Sequence, residues 1–281
     1  MITSSQAVLT RSNVTVTGEG TQPVVFLHGL GADQKQWHLL APEFEKDFKV
    51  VRLDLVGFGE SDLSAYSHDQ HGSLSGHATD LLNVLRELQL RDVIFVGHSV
   101  SAMIGVLAAV RAPHYFARLV LVAPSPRFIN EENYVGGFGH ADVQELLAAM
   151  EQNYVGWSNA IAPMMISPDD RPEMVLELTN SFVRNNPDIA KHFARVTFLS
   201  DTRAELPLLT TPALIVQCAH DVIAPLAVGN YLNEQIPDSQ MVIIDTPGHY
   251  PHLTAPTEVM QVLKKFFNDY PVNSRRMAAA A

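Results

Sequence analysis

Three residues of this 281-residue chain have the type and setting for nucleophilic catalysis: Ser99, Asp221 and His249. Ser99 stands in Val96-Gly97-His98-Ser99-Val100-Ser101-Ala102, between an apolar run over 93–96 and an alanine-rich helical pattern over 103–110. A strand that turns at once into a helix holds a serine at its apex clear of the backbone, and so tight a turn needs small neighbours. Gly97 meets that demand and Ser101 nearly does. A serine hydroxyl is a weak nucleophile until a base removes its proton. His249 can take that proton and later give it to a leaving group, because imidazole titrates near neutrality. Asp221 would fix the imidazole tautomer and stabilise the imidazolium.

Other residues compete for these roles. His252 is a second choice for the base and Asp245 for its orienter. His249-x-x-His252 resembles a metal pair, but no third ligand suggests itself and Pro251 intervenes, so neither metal nor cofactor is expected. His98 must point away if Ser99 points to a pocket. The turn Asp54-Leu-Val-Gly57-Phe-Gly59-Glu-Ser61-Asp62 lacks the Gly-Lys-Ser/Thr of a phosphate loop, and reads as a strand exit in which Ser61 or Asp62 bonds local backbone. An oxyanion hole needs two backbone N–H groups. Val100, after the serine, supplies one; Leu30, in His28-Gly29-Leu30-Gly31, is the candidate for the other.

Positioning these groups requires a particular order of elements. Strand signals at 14–16, 23–27, 49–54, 93–96 and 119–123 alternate with helical patterns, which implies a parallel sheet with crossover helices. A helix carrying Trp37, Leu39 and Leu40 is expected after Gly31. Over 125–209 the alternation stops, and only helical stripes remain, at 143–154, 174–182 and 189–198. Strands at 212–218 and 241–245 then resume, with helices at 227–235 and 256–268. Ser99, Asp221 and His249 all fall after strand carboxyl ends, where ligands gather in open α/β sheets. Their order, Ser…Asp…His, is that of the α/β-hydrolases. The division expected is 1–124 and 210–270 as core, 125–209 as a helical cap, and 271–281 as a tail.

Composition bounds the rest. A formal charge of −11 argues against nucleic-acid binding. The longest apolar stretch, 100–122, is broken by Arg111, His114 and Arg118, so no membrane span is expected. The N-terminus lacks a secretory pattern. The single cysteine, Cys218, lies in an apolar strand and reads as a buried structural thiol. A cytoplasmic setting is expected.

The chain resembles the RsbQ group of α/β-hydrolases, bacterial relatives of the plant karrikin and strigolactone receptors. The residues that carry this are His28-Gly-Leu-Gly-Ala-Asp33-Gln34 with Trp37, Gly97-His-Ser-Val-Ser-Ala-Met-Ile-Gly105, Ser125-Pro-Arg-Phe128, Tyr134-Val-Gly-Gly-Phe138, Asn153-Tyr154 with Trp157, Ser200-Asp-Thr-Arg203, and Gly248-His-Tyr-Pro-His-Leu253. The resemblance implies a mostly parallel, eight-stranded-type sheet with helices on both faces and an inserted four-helix cap. It implies a triad at Ser99, Asp221 and His249, and turnover of small apolar esters, lactones or butenolides. Leu30, Phe128, Phe138, Trp157, Met164, Phe193 and Tyr250 are the expected pocket residues. Leu30 stands where the group usually has phenylalanine, and Tyr250 where it has a small or aliphatic residue. The resemblance also implies a signalling role with a PP2C-type phosphatase as partner, in which ligand sensing matters more than turnover.

Overall fold

The computed structural model describes residues 4–166 and 171–268. In chain order the main elements are α1 (Ser4–Arg11), β1 (Thr15–Thr17), β2 (Pro23–Leu27), β3 (Lys49–Leu53), α2 (Leu74–Glu87), β4 (Val93–His98), α3 (Val100–Arg111) and β5 (Phe116–Val122). Then come α4 (His140–Gln152), α5 (Tyr154–Met165), α6 (Pro172–Arg184) and α7 (Pro187–Leu199). The chain closes with β6 (Ala213–His220), α8 (Leu226–Gln235), β7 (Ser239–Pro247), α9 (Pro251–Thr254) and α10 (Pro256–Asn268). The tail expected at 271–281 lies outside the described residues.

The sheet runs β1-β3-β2-β4-β5-β6-β7, parallel throughout except for β1, which pairs antiparallel with β3. Seven strands are present among the described residues, not the eight of the expected type. The segment ahead of β1 forms α1 instead. Its adjacent Val8 and Leu9 both pack on the core, which a helix face allows and a strand, with its alternating sides, does not.

Alternation along the strands divides the core in two. Val25, Leu27, Phe95, Leu119, Leu121 and Ile215 pack on α2, α3 and α8. Val24, Phe26, Ile94, Val96, Val120, Val122 and Val216 pack on Trp37, Phe44 and α10. Both faces are covered, which is why the strands read as unbroken apolar runs.

The helix expected around Trp37 is instead two 3₁₀ turns, Gln34–Trp37 and Ala41–Phe44. Pro42 has no N–H to give the carbonyl four residues back, and its ring clashes there. The inserted segment has four helices where periodicity marks three stripes. The stripe over 143–154 ends at Asn153, whose side chain accepts from Gly156 N–H and starts α5. Pro163 inside α5 obscures its helical pattern. The two ends of the insertion are tied together: Thr202 N–H and Oγ1 both donate to the Pro126 carbonyl, and Arg203 reaches Glu131 at 2.7 Å.

Candidate active site

Register brings the first two loops together. Leu27 of β2 pairs with Gly97 of β4, so the chain segments that follow leave the sheet side by side. A Cβ on Gly29 would lie 2.6 Å from His98 Nδ1 and 3.4 Å from Ser99 Cβ. Only glycine lets loop 28–31 lie this close to the elbow. Ser99 has φ 55° and ψ −123°, a backbone state that costs about 1–3 kcal/mol and persists only where its surroundings enforce it. Its N–H donates to the Val122 carbonyl at 2.8 Å and its carbonyl accepts from Ala102 N–H at 2.9 Å. The Ser101 hydroxyl donates to the His28 carbonyl, so the residue that departs from glycine ties the elbow to loop 28–31.

Asp221 follows β6. Its Oδ1 accepts from the Ile223 and Ala224 N–H groups at 2.8 and 3.0 Å, which leaves Oδ2 to meet His249 Nδ1 at 2.7 Å. His249 Nε2 then lies 2.8 Å from Ser99 Oγ. All three side chains are buried. β7 is three strands from β4, so His249 has to reach back across the sheet edge. Its N–H donates to the Met165 carbonyl at the end of α5 (2.7 Å), and its carbonyl accepts from His98 Nε2 (2.9 Å). His98 therefore points away from the Ser99 hydroxyl and holds the backbone of His249.

The competing residues fall elsewhere. Asp245 is exposed. His252 stacks on Trp37 with ring centres 4.5 Å apart, while both His249 nitrogens face Asp221 and Ser99, so the two histidines do not converge on a metal. Asp54 organises its turn by accepting from Asn13, Gln34 N–H and Glu60 N–H. Ser61 and Asp62 accept from local backbone. Cys218 is buried, and burial raises its thiol pKa.

Of the residues expected around a pocket, Leu30, Phe128, Trp157 and Phe193 are buried in one apolar cluster, with Phe138 packed against it. Met164 is not among them. It is 59% exposed, because α5 buries Tyr154, Trp157, Ser158, Ile161, Ala162 and Met165, a helical spacing that puts 164 outside. Tyr250 is buried against His98 and His252. It lines a cleft of about 200 Å³ with Gln36, Leu178, Ser181 and Leu253.

One contact set leaves no trace in sequence periodicity. The Gly31 carbonyl accepts from Ser181 Oγ at 3.0 Å and Asn185 Nδ2 at 2.7 Å. A Cβ on Gly31, at φ 74°, would stand 2.0 Å from the Phe182 ring. Helix α6 thus seats directly on loop 28–31.

Residues 22–256 match the α/β hydrolase fold family. The chain belongs to it. This α/β-hydrolase is 36% identical to strigolactone esterase D14 of Arabidopsis thaliana over 93% of its own length and 98% of that protein. It is 38% identical to Karrikin insensitive 2 receptor CA of Petunia hybrida, over 89% and 93% of the two chains. A solved hydrolase from Oleispira antarctica superposes with a TM-score of 0.93, at 38% identity, covering 96% and 99%. It is an esterase-like member of the family, with no helix among the described residues long and apolar enough to cross a membrane.

Two expected results follow for this hydrolase. His98→Ala frees the His249 carbonyl and lets the imidazole drift from Ser99; a misplacement of about 1 Å in a reacting group costs on the order of 10²-fold in rate. Steady-state kinetics should show the loss in kcat with little change in KM. His252 is buried and held neutral: burial, then the neighbouring His249 and His38, bring its pKa to about 3 from 6.5. The unfolded chain takes up that proton below pH 6.5 and the folded one does not, so stability present above pH 6.5 is lost as pH falls. Urea unfolding of His252→Phe should lose about 2 kcal/mol less than the parent between pH 7 and pH 5.

Proposed function

We propose that the chain is a serine hydrolase that cleaves a small, mostly apolar ester, lactone or butenolide through an acyl-enzyme on Ser99. One observation carries this reading: the unbroken relay from Asp221 through His249 to Ser99 Oγ, at 2.7 and 2.8 Å. His249 Nε2 takes the hydroxyl proton as Oγ attacks the carbonyl, and Asp221 holds the imidazolium. Leu30 and Val100 N–H groups stabilise the oxyanion. Val100 opens α3, where an N–H has no acceptor within the helix. Collapse sends the proton to the leaving alkoxide; water, activated by His249, then releases the acid. Leu30, Phe128, Phe138, Trp157 and Phe193 form the apolar surroundings of the substrate, in a cytoplasmic protein.

The test is mass spectrometry after incubation with a chromogenic acetate ester and with a butenolide. A product burst and an acyl mass on Ser99 support the reading; turnover with no covalent mass on Ser99 or His249 refutes it.

A second reading is favoured by exposed apolar side chains on the inserted helices: Val155 and Met164 of α5, Leu176 and Val183 of α6. Exposed apolar residues of this kind suit a protein partner. The protein would then sense a ligand and signal, as the names of its receptor relatives suggest, with a PP2C-type phosphatase as the partner implied by the RsbQ-like motifs. Leu176→Asp should abolish phosphatase binding in a pull-down while ester turnover persists; binding that is absent from the unmodified protein with and without ligand counts against this reading.

A further inference from the structure

We propose that His71, His77 and Asp80 form a binding site for one borderline divalent cation, of which zinc fits best, in the angle between α2 and the loop that precedes it. Their ligand atoms lie within 4.8 Å of one another and all three residues are buried. His77 and Asp80 are three residues apart on one face of α2. His71 is brought in by the loop over 66–73, which turns back on itself through His71 N–H to the Ser67 carbonyl at 2.8 Å.

Two features distinguish this group from ordinary packing. First, neither ring nitrogen of His77 has a hydrogen-bond partner, although the residue is only 1% exposed. An unpaired buried polar group costs about 1–3 kcal/mol, which a phenylalanine in the same space would avoid; a bound ion is one of the explanations such an atom calls for.

Second, the surroundings of His71 suit a ligand. Its Nδ1 lies 3.0 Å from both the N–H and the carbonyl of Ser67, so the backbone serves either tautomer. Without an ion, Nε2–H donates to Asp80 Oδ2 at 2.8 Å and Nδ1 accepts from Ser67 N–H. With an ion, the proton sits on Nδ1 and donates to the Ser67 carbonyl, and Nε2 faces the metal. This outer hydrogen bond is the usual support of a metal-binding histidine. Asp80 Oδ1 is held by Gln70 Nε2 at 3.1 Å, which leaves Oδ2 for the ion. Tetrahedral zinc, at about 2.0–2.2 Å from each ligand, holds ligand atoms about 3.4 Å apart, so the 2.8 Å pair of His71 Nε2 and Asp80 Oδ2 would open slightly and any pair near the 4.8 Å limit would close by about 1.4 Å. Two imidazoles and one carboxylate favour zinc, cobalt or nickel over magnesium or calcium; water completes the coordination.

The site is separate from the relay. The His77 ring abuts Phe193 at 4.6 Å, and Phe193 packs on Phe58 at 5.1 Å. On its other side Tyr66 stacks on His71 at 4.6 Å and its hydroxyl meets His192 Nδ1 of α7 at 2.6 Å. An ion here would clamp the loop to α2 and, through Tyr66, steady the inserted helices.

Metal-free, tag-free protein titrated with Zn²⁺ by calorimetry, and with Co²⁺ by visible absorption, decides the matter. One equivalent should bind, the cobalt form should show the bands of a four-coordinate site, and Tm should rise by about 5 °C at 100-fold excess over Kd. His77→Phe and Asp80→Asn should both lose this binding, with His77→Phe at least as stable as the metal-free parent, while His249→Phe retains it. Absence of saturable one-to-one binding, its survival in His77→Phe or Asp80→Asn, or its loss in His249→Phe overturns the proposal.

Discussion

Ser99→Ala should lower kcat/KM for a chromogenic acetate ester by about 10⁵- to 10⁶-fold, the scale seen when a triad loses its nucleophile. Every step of the proposed chemistry passes through Ser99 Oγ, which stands 2.8 Å from its base. Among the described residues no other hydroxyl meets the His249 imidazole: Ser101, two residues on, is committed to the His28 carbonyl. The fold should survive the change. Alanine keeps the backbone N–H to Val122 and the carbonyl to Ala102, and it adds no atom to the crowded elbow. Circular dichroism and Tm close to those of the parent, together with lost turnover and a lost covalent adduct, are the expected results. Turnover within tenfold of the parent would place the chemistry elsewhere.

Asp221→Asn should lower kcat by about 10⁴-fold with the geometry intact, and the local bonds give the reason. Oδ1 accepts from the Ile223 and Ala224 N–H groups. In the amide, the carbonyl oxygen must occupy that position, because an NH₂ there would face two donors. The NH₂ is then turned to His249 Nδ1, which becomes the acceptor. His249 is left with its proton on Nε2, facing Ser99 Oγ, and cannot take another. Turnover should fall sharply while binding of a non-hydrolysable ester analogue changes little. A loss below tenfold would mean that the aspartate only fills space.

Much of this was legible in the sequence, for identifiable reasons. Strands buried on both faces leave unbroken apolar runs, so β2, β4, β5 and β6 are readable from 23–27, 93–96, 119–123 and 212–218. The elbow is readable because its geometry restricts residue size at 97. The helix α1 ahead of β1 and the 3₁₀ turns at Trp37 were not, because they depend on which neighbours cover Val8, Leu9 and Trp37. Met164 failed as a pocket residue for a similar reason. A stretch such as Ala-Pro-Met-Met shows apolar character but not the phase that sends Met165 inward and Met164 out.

By itself the sequence determined the fold class, the chain order of Ser99, Asp221 and His249, and their places at strand ends, because all three follow from local pattern and spacing. Only the tertiary structure decided that His98 holds the His249 carbonyl, that α6 grips Gly31, and that His71, His77 and Asp80 converge. Those contacts join residues through orientation rather than spacing. A side chain's direction and its partner across the fold are settled by packing, after the elements have formed.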